Sequence, residues 1–378
     1  MKNAPRSVLL VPPLSAYGDG PSMSLYWRNV SESITALDRA SFSIRAITPP
    51  LSWRESKARR RICQRVVMPF MVRQAITQER QAGRRPVVHV LDQHYAHLLP
   101  RDGTGTITCH DLNILVSPER GLLKTEERNR LRRITRAGTI HAISQNTARD
   151  IEHFFPEVAS RVVVNYYGIN PVFCPRPIAP DLPHLAKLHA ANGAFFVLHV
   201  GSNLERKNIP VLLKGFAEAK ARLAGRQVKL IKVGNDLRTD GFGAMIEELG
   251  IADEVIHLGA LDVSQLVDVY NACHVLAFPS LYEGFGRPVA EAQACGLPCI
   301  LAKTSSLPEV GGIAALYHPA DGAEALARHI ADVATNHDLR QRLMAAGLEN
   351  VKRFTWRRHA ELLAASYLGC DQRTPIVA

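Results

Sequence analysis

Residues 280–298, SLYEGFGRPVAEAQACGLP, place two carboxylates, Glu283 and Glu291, eight positions apart around a Gly-Phe-Gly turn. HVLAFPS (274–280) reads as a buried strand, and Pro288 is tolerated at the first position of a helix that follows. In an open parallel sheet, ligands gather at the carboxyl ends of strands. There Gly284 and Gly286 let backbone approach a ligand closely, and the helix N-terminus offers N–H groups and a positive dipole end. Phosphate is the natural anion for such a turn. Glu283 before the turn and Glu291 inside the helix then face one pocket from different heights. A carboxylate accepts hydrogen bonds from paired hydroxyls, so the expected ligand is a phosphate bearing hydroxyl-rich groups. For Glu291 the plainer reading is a glutamate early in a helix, complementing the dipole.

A second candidate is His110, at the end of the strand-like run GTITCHD (105–111), which points it toward a cleft. A lone histidine is more often a satisfied structural group, and Asp111 serves equally well to brace the loop. No cluster of carboxylates is placed to hold a metal, so no metal or other cofactor is expected. The seven cysteines form no CxxC pair and read as reduced thiols of a cytoplasmic protein.

The elements that must carry these residues are legible as alternating strands and helices. Apolar runs at 7–11, 86–92, 105–111, 139–144 and 161–168 are separated by helical patterns, the signature of a parallel sheet covered on both faces. The pattern restarts at 194–202, 228–235, 254–259, 274–280 and 297–302. Between the two sets lie four prolines, Pro175, Pro177, Pro180 and Pro183, a linker signature. The expected domains are 1–174, a linker 175–185, and 186–355, with the helix-patterned segment 356–378 crossing back to the first domain. A chain of 378 residues suits two such cores.

Lysine plus arginine outnumber aspartate plus glutamate by 46 to 35, a net charge of +11, which favours anionic partners. Residues 57–74, KARRRICQRVVMPFMVRQ, set Arg59, Arg60, Arg61, Arg65 and Arg73 beside Ile62, Val66, Val67, Phe70 and Met71. This suits a basic amphipathic surface on acidic lipid, or a helix with one core face and one solvated face. Pro69 is expected to interrupt a continuous helix there. No apolar run is long enough to span a bilayer. No nucleic-acid-binding module is recognisable, so a basic nucleic-acid-binding protein is only an alternative.

The Glu, seven residues, Glu pattern of Glu283 and Glu291, with AQACGLPCI and SSLPEVGG (305–312) after it, resembles the signature of glycosyltransferase family 4. HVGSNLERKN (199–208), TCHDL (108–112), AISQNTARDI (142–151) and the terminal FTWRRHAELLAASYL match in order. The resemblance implies an α/β chain of GT-B architecture, two Rossmann-like doubly wound domains facing across a cleft, and a retaining transferase. It moves a hexose, mannose or glucose, from a nucleoside diphosphate sugar to a saccharide or lipid-linked acceptor in polysaccharide biosynthesis. Glu291 would take the ribose hydroxyls and Glu283 the sugar hydroxyls, with backbone of Gly284, Phe285 and Gly286 along the sugar and diphosphate. Lys207, six positions after Gly201, matches the family's phosphate-binding lysine, and Arg206 supplies the second cation. Many members carry an arginine directly after that glycine; here it is Ser202. His110 would lie at the reaction centre. AYGDGPSMSLYWR (16–28) resembles the glycine-rich loop after the first strand, with Gly18 and Gly20 approaching the donor or forming a plain turn. Location on the inner face of the membrane follows as an expectation; an epimerase or phosphorylase of the same fold is the alternative.

Overall fold

The computed structural model describes residues 5–13, 21–37, 41–50, 57–116, 121–179, 181–191 and 193–369. They form two units, Met1–Gly168 with Thr355–Ala378, and Ile169–Phe354. Gly18 and Gly20 lie outside the described residues. The first unit holds a parallel sheet of β1 (Arg6–Val11), β2 (Phe42–Ala46), β3 (Val87–Val90), β4 (Thr106–Cys109), β5 (Thr139–Ala142) and β6 (Val162–Val164), in the order β2-β1-β3-β4-β5-β6. The second holds β7 (Phe195–Gly201), β8 (Val228–Gly234), β9 (Val255–Gly259), β10 (Val275–Phe278), β11 (Cys299–Ala302) and β12 (Ala315–His318), in the order β12-β11-β10-β7-β8-β9. Every pairing is parallel. In the second unit the winding reverses between β7 and β10, so the loops leaving those two strands open around a crevice where such sheets take ligands.

Continuous apolar runs become strands because both sheet faces are covered: Val87–Val90 and Cys299–Ala302 are buried at every position. β2 is not apparent as an apolar run, whereas β12 lies within the apolar stretch 313–317, which the sequence reading passes over. Both are edge strands, and β2, FSIRA, buries only its first residue, so a polar alternation hides it.

The chain passes between units at 168/169 and 354/355, not within 175–185. That proline-rich segment is tied to the helix Val263–Ala272: Arg176 N donates to Asn271 Oδ1 at 2.9 Å, and its guanidinium meets Asp268 Oδ1 at 2.5 Å. Proline density signals a stiff, extended segment, and here the stiffness serves docking.

Pro69 does not break its helix. Lys57–Ile62 and Met68–Gln81 are joined by a π turn, Cys63–Val67, in which Met68 N bonds to Cys63 O. The widened turn makes room for the ring, and Pro69, in the first turn of the following segment, needs no amide. Among the described residues no helix is long and apolar enough to cross a membrane.

The helix Trp356–Leu368 belongs to the first unit and is held there by a buried polar chain. Tyr367 OH lies 2.6 Å from His89 Nδ1, His89 Nε2 2.9 Å from Thr108 Oγ1, Thr108 Oγ1 3.1 Å from Tyr26 OH, and Tyr26 OH 3.3 Å from His359 Nε2. His359 Nδ1 ends the chain by donating to Tyr166 O at 2.9 Å. One direction of donation satisfies every link only when both histidines are neutral: tyrosine to His89, His89 to threonine, threonine to Tyr26, Tyr26 to His359. His141 adds a branch, with Nε2 3.1 Å from Ser366 Oγ and Nδ1 accepting from Asn165.

Burial pulls His141 down to about 3 and His359 down to about 4, and a neighbouring ring, His359 for the first and His110 for the second, adds to the effect because two adjacent imidazoles resist being charged together. In the unfolded chain both protonate near pH 6.5, so the unfolded state binds more protons below that pH and stability falls as pH falls, by ~1.4 kcal/mol per unit and per histidine. Urea unfolding should lose stability steeply between pH 6.5 and 4, and His359→Gln should flatten the slope by about one proton. An unchanged slope in that variant would remove His359 from the account.

Candidate functional site

The site lies in the second unit, on the loops that leave β7 and β10. After β7, residues Glu205–Lys207 form a 3-10 turn, and Asn208 takes a left-handed conformation, φ 55°, to start the helix Ile209–Arg222. Asn208 Nδ2 donates to Pro279 O at 3.2 Å and Ala320 O at 2.7 Å. Leu281 N donates to Arg206 O at 2.7 Å, and the Arg206 guanidinium reaches Tyr282 O at 3.2 Å. The two loops are therefore fastened to each other before any ligand arrives.

At their junction sits a buried charge centre. Lys207 Nζ donates to Glu283 Oε1 at 2.6 Å and Arg206 to Glu283 Oε2 at 2.9 Å. Lys207 is 6% exposed and Glu283 7%. Lys207 Nζ also stands 4.6 Å from the centre of the Phe278 ring, a cation–π contact. Burial pushes the Glu283 carboxyl up, but Lys207 and Arg206 outweigh it and hold the group below its usual range. Two cations share one carboxylate, which leaves net positive charge at the mouth of β7.

The turn after Glu283 is braced from the segment that follows β11. Glu283 N donates to Ser305 Oγ at 2.9 Å, and the Ser306 hydroxyl lies 2.9 Å from both Glu283 O and Phe285 O. Phe285 turns its ring inward, edge-on to Phe354 at 5.2 Å, so only its backbone is available along the turn. Gly286 caps the helix Arg287–Ala294 at φ 93°, a conformation that favours glycine. Glu291, 5% exposed, accepts from Tyr270 OH at 3.1 Å and from Arg287 at 3.2 Å. Each of its oxygens keeps a second lone pair for a ligand hydroxyl. Tyr270 is set by the helix Val263–Ala272, whose capping box joins Asp262 and Gln265.

The structure thus brings Gly201, Ser202, Arg206, Lys207, Glu283, Gly284, Phe285 and Gly286 to two neighbouring loops, with Glu291 on the helix behind the turn. His110 belongs to the first unit. Its Nε2 donates to Leu91 O at 2.7 Å and its Nδ1 accepts from Tyr167 OH, so the ring is neutral and engaged at both nitrogens. Burial lowers its pKa despite Asp92. Service to a reacting group requires one of those bonds to open. Asp111 caps its own loop through Asn113 N at 3.1 Å. Sequence reasoning passed over Tyr270, Arg287, Ser305 and Ser306. The serines were visible in SSLPEVGG, but nothing in spacing alone shows that a hydroxyl twenty residues on reaches back to a turn. Among the described residues no group of three or more His, Cys, Asp or Glu side chains is placed to hold a metal ion.

Residues 184–349 match the family model described as glycosyl transferases group 1. The chain is 28% identical over 273 residues to the O-antigen chain mannosyltransferase B of Escherichia coli, covering 71% of each. It is 29% identical over 262 residues to the serotype-specific mannosyltransferase WbdA of Escherichia coli, 67% of this chain but only 32% of that one. Among solved structures, sucrose-phosphate synthase of Thermosynechococcus elongatus superposes with a TM-score of 0.73 over 96% of this chain and 98% of that one, at 20% identity, a likeness of fold.

Breaking a buried pair strands the remaining charge, at a cost of about 3–5 kcal/mol. Glu283→Gln should therefore lower the unfolding free energy by that order in denaturant titrations without ligand. A variant as stable as the wild type would show the pair to be solvated and incidental.

Proposed function

We propose that this glycosyltransferase, with the fold of its solved neighbours and a match to the group 1 model over residues 184–349, moves a hexosyl group, mannose first and glucose second, from a nucleoside diphosphate sugar to a saccharide or lipid-linked acceptor. The observation that carries this reading is the charge centre of Glu283, Lys207 and Arg206 beside the Gly284–Gly286 turn. The likeness to an O-antigen chain mannosyltransferase and a serotype-specific mannosyltransferase favours mannose and polysaccharide synthesis.

In this reading Lys207 and Arg206 face the diphosphate, where negative charge grows as the glycosidic bond breaks, and preorganised cations aimed there supply the main catalytic term. They do the work a metal does elsewhere, and we assign no metal or other cofactor to the reaction. The donor's phosphate draws on cations that Glu283 otherwise holds, and the freed carboxylate oxygens take the sugar hydroxyls. Glu291 receives the ribose hydroxyls, with Tyr270 and Arg287 holding its orientation. Transfer proceeds with retention: the acceptor oxygen attacks the anomeric carbon from the face the diphosphate leaves. The leaving phosphate oxygen takes the acceptor's proton.

The partner surface of this reading is the first unit's helix 57–81. Ile62, Val66 and Phe70 are 50%, 63% and 66% exposed, among the exposed side chains of Arg59, Arg61, Arg65 and Arg73. An exposed apolar row flanked by arginines suits the anionic inner leaflet, where lipid-linked acceptors are presented.

Incubation with GDP-mannose or UDP-glucose and acceptor should yield a glycoside of the donor's own anomeric configuration by proton NMR; inversion would overturn the mechanism. Glu283→Gln should cut turnover at least tenfold, the scale of a lost charged hydrogen bond, without weakening nucleotide affinity, since the cations it leaves behind still attract phosphate. Vesicles with acidic lipid should float the protein at low salt, with release by moderate salt and by Ile62→Ser, Val66→Ser, Phe70→Ser combined. Equal flotation on neutral vesicles would remove the electrostatic docking.

A further inference from the structure

Lys232 is a wholly buried ammonium group in the second unit that the donor reading leaves without a task. It lies on β8 level with His199 of β7, and Gly201 and Gly234 form the pair two residues further along the same face. Neither glycine fills the space above that face, and two lysines extend into it. A Cβ on Gly234 would stand 3.5 Å from Lys232 Nζ, and one on Gly201 would stand 3.4 Å from Lys207 Nζ. Two ammonium groups therefore converge on the mouth of β7 and β8.

Their compensation differs. Lys207 has the Glu283 carboxylate. Lys232 donates to Gly201 O at 2.6 Å and to Val233 O at 3.1 Å, both neutral acceptors, and one of its three N–H donors remains. A buried charge is tolerated when it is paired, and among the described residues no carboxylate forms an ion pair with Lys232, Asp240 and Asp236 acting on it without one, so a ligand anion would complete its compensation. The hold on Gly201 also has a direction. The peptide after Gly201 is planar and trans, so turning its carbonyl toward Lys232 turns the Ser202 N–H the opposite way, at φ 145° for Gly201.

We propose that Lys232 is a positioning residue for the donor: its charge stands behind the diphosphate at the mouth of β7 and β8, its grip on Gly201 aims the Ser202 amide at the same phosphate, and the bound diphosphate is the counter-ion it lacks in the empty site. This rests on the reading of the second unit as a nucleoside diphosphate sugar site. Burial, and then Lys207, pull the Lys232 ammonium down to about 8, against Asp240 and Asp236. His199, facing it from β7, stays neutral because burial, with Lys232 and Lys207 adding, holds it down to about 3. Glu283 and Arg206 face Lys207 rather than Lys232. A dianionic ligand stabilises the charged form of Lys232, so affinity must fall as pH rises through about 8.

The test is calorimetric titration, without metal, of a nucleoside diphosphate, the monophosphate and the nucleoside into wild type and Lys232→Met, with the wild-type series repeated from pH 7 to 9. The expected result is a loss of diphosphate affinity of about tenfold or more in Lys232→Met, with nucleoside affinity unchanged, and a decline above pH 8 that the variant lacks. Equal losses for diphosphate and nucleoside, or a flat wild-type pH profile, would reduce Lys232 to a strut for two carbonyls. Should Lys232→Met fail to fold, Lys232→Arg, which stays charged to pH 9, should bind the diphosphate without the decline above pH 8, and a decline as steep as the wild type's would overturn the assignment. Should the wild type bind no nucleoside diphosphate at any pH, the donor reading itself falls, and this inference with it.

Discussion

A buried ion pair governs the second unit: Glu283 and Lys207, both nearly inaccessible, bonded at 2.6 Å at the mouth of β7. Taking both charges out of water costs several kcal/mol per ion, so the pair persists only in good geometry and with further hydrogen bonds. The surroundings supply them. Arg206 takes the second carboxylate oxygen, the Phe278 ring faces the ammonium, and Ser305 and Ser306 hold the backbone of the turn. The backbone of both loops is thus held before a ligand arrives, and only the sharing of the two cations between Glu283 and a phosphate has to change, which is the preorganisation electrostatic catalysis needs.

The sheet topology explains why the pair forms where it does. Because the winding reverses between β7 and β10, the loops leaving these strands diverge to opposite faces and leave a crevice between them. Asn208, bonded to Pro279 and Ala320, and Arg206, bonded to Tyr282, stitch the crevice's two walls. The fold thus makes the position, and a handful of side chains make it a charged one. The first unit uses the same sheet plan for a different purpose: its buried histidines and tyrosines bind the C-terminal helix Trp356–Leu368 to the strands.

Much of this was legible in the chain. Buried strands announce themselves as apolar runs, and the Gly-Phe-Gly turn with Pro288 marks a strand-to-helix junction. The edge strand β2 escaped because a strand that buries only its first residue carries no such run. Pro69 misled because a π turn absorbs it, and the proline-rich 175–185 segment because its docking depends on Arg176 finding Asp268, ninety-two residues away. Pairing of Glu283 with Lys207 spans seventy-six residues and is invisible to any local pattern. So is Lys232, which reads in VKLIKVG as an odd cation in a buried strand until its bond to the Gly201 carbonyl on the neighbouring strand is seen.

The most direct test of the central claim, that the protein's own groups form a phosphate and ribose site on these loops without a metal, is calorimetric titration of UDP, GDP and ADP in chelator into wild type and Glu291→Ala. One nucleotide should bind at micromolar strength without metal, and the variant should bind it about ten- to a hundredfold more weakly, the scale of lost charged hydrogen bonds. Binding that requires a divalent ion, or that ignores the loss of Glu291, would contradict the account.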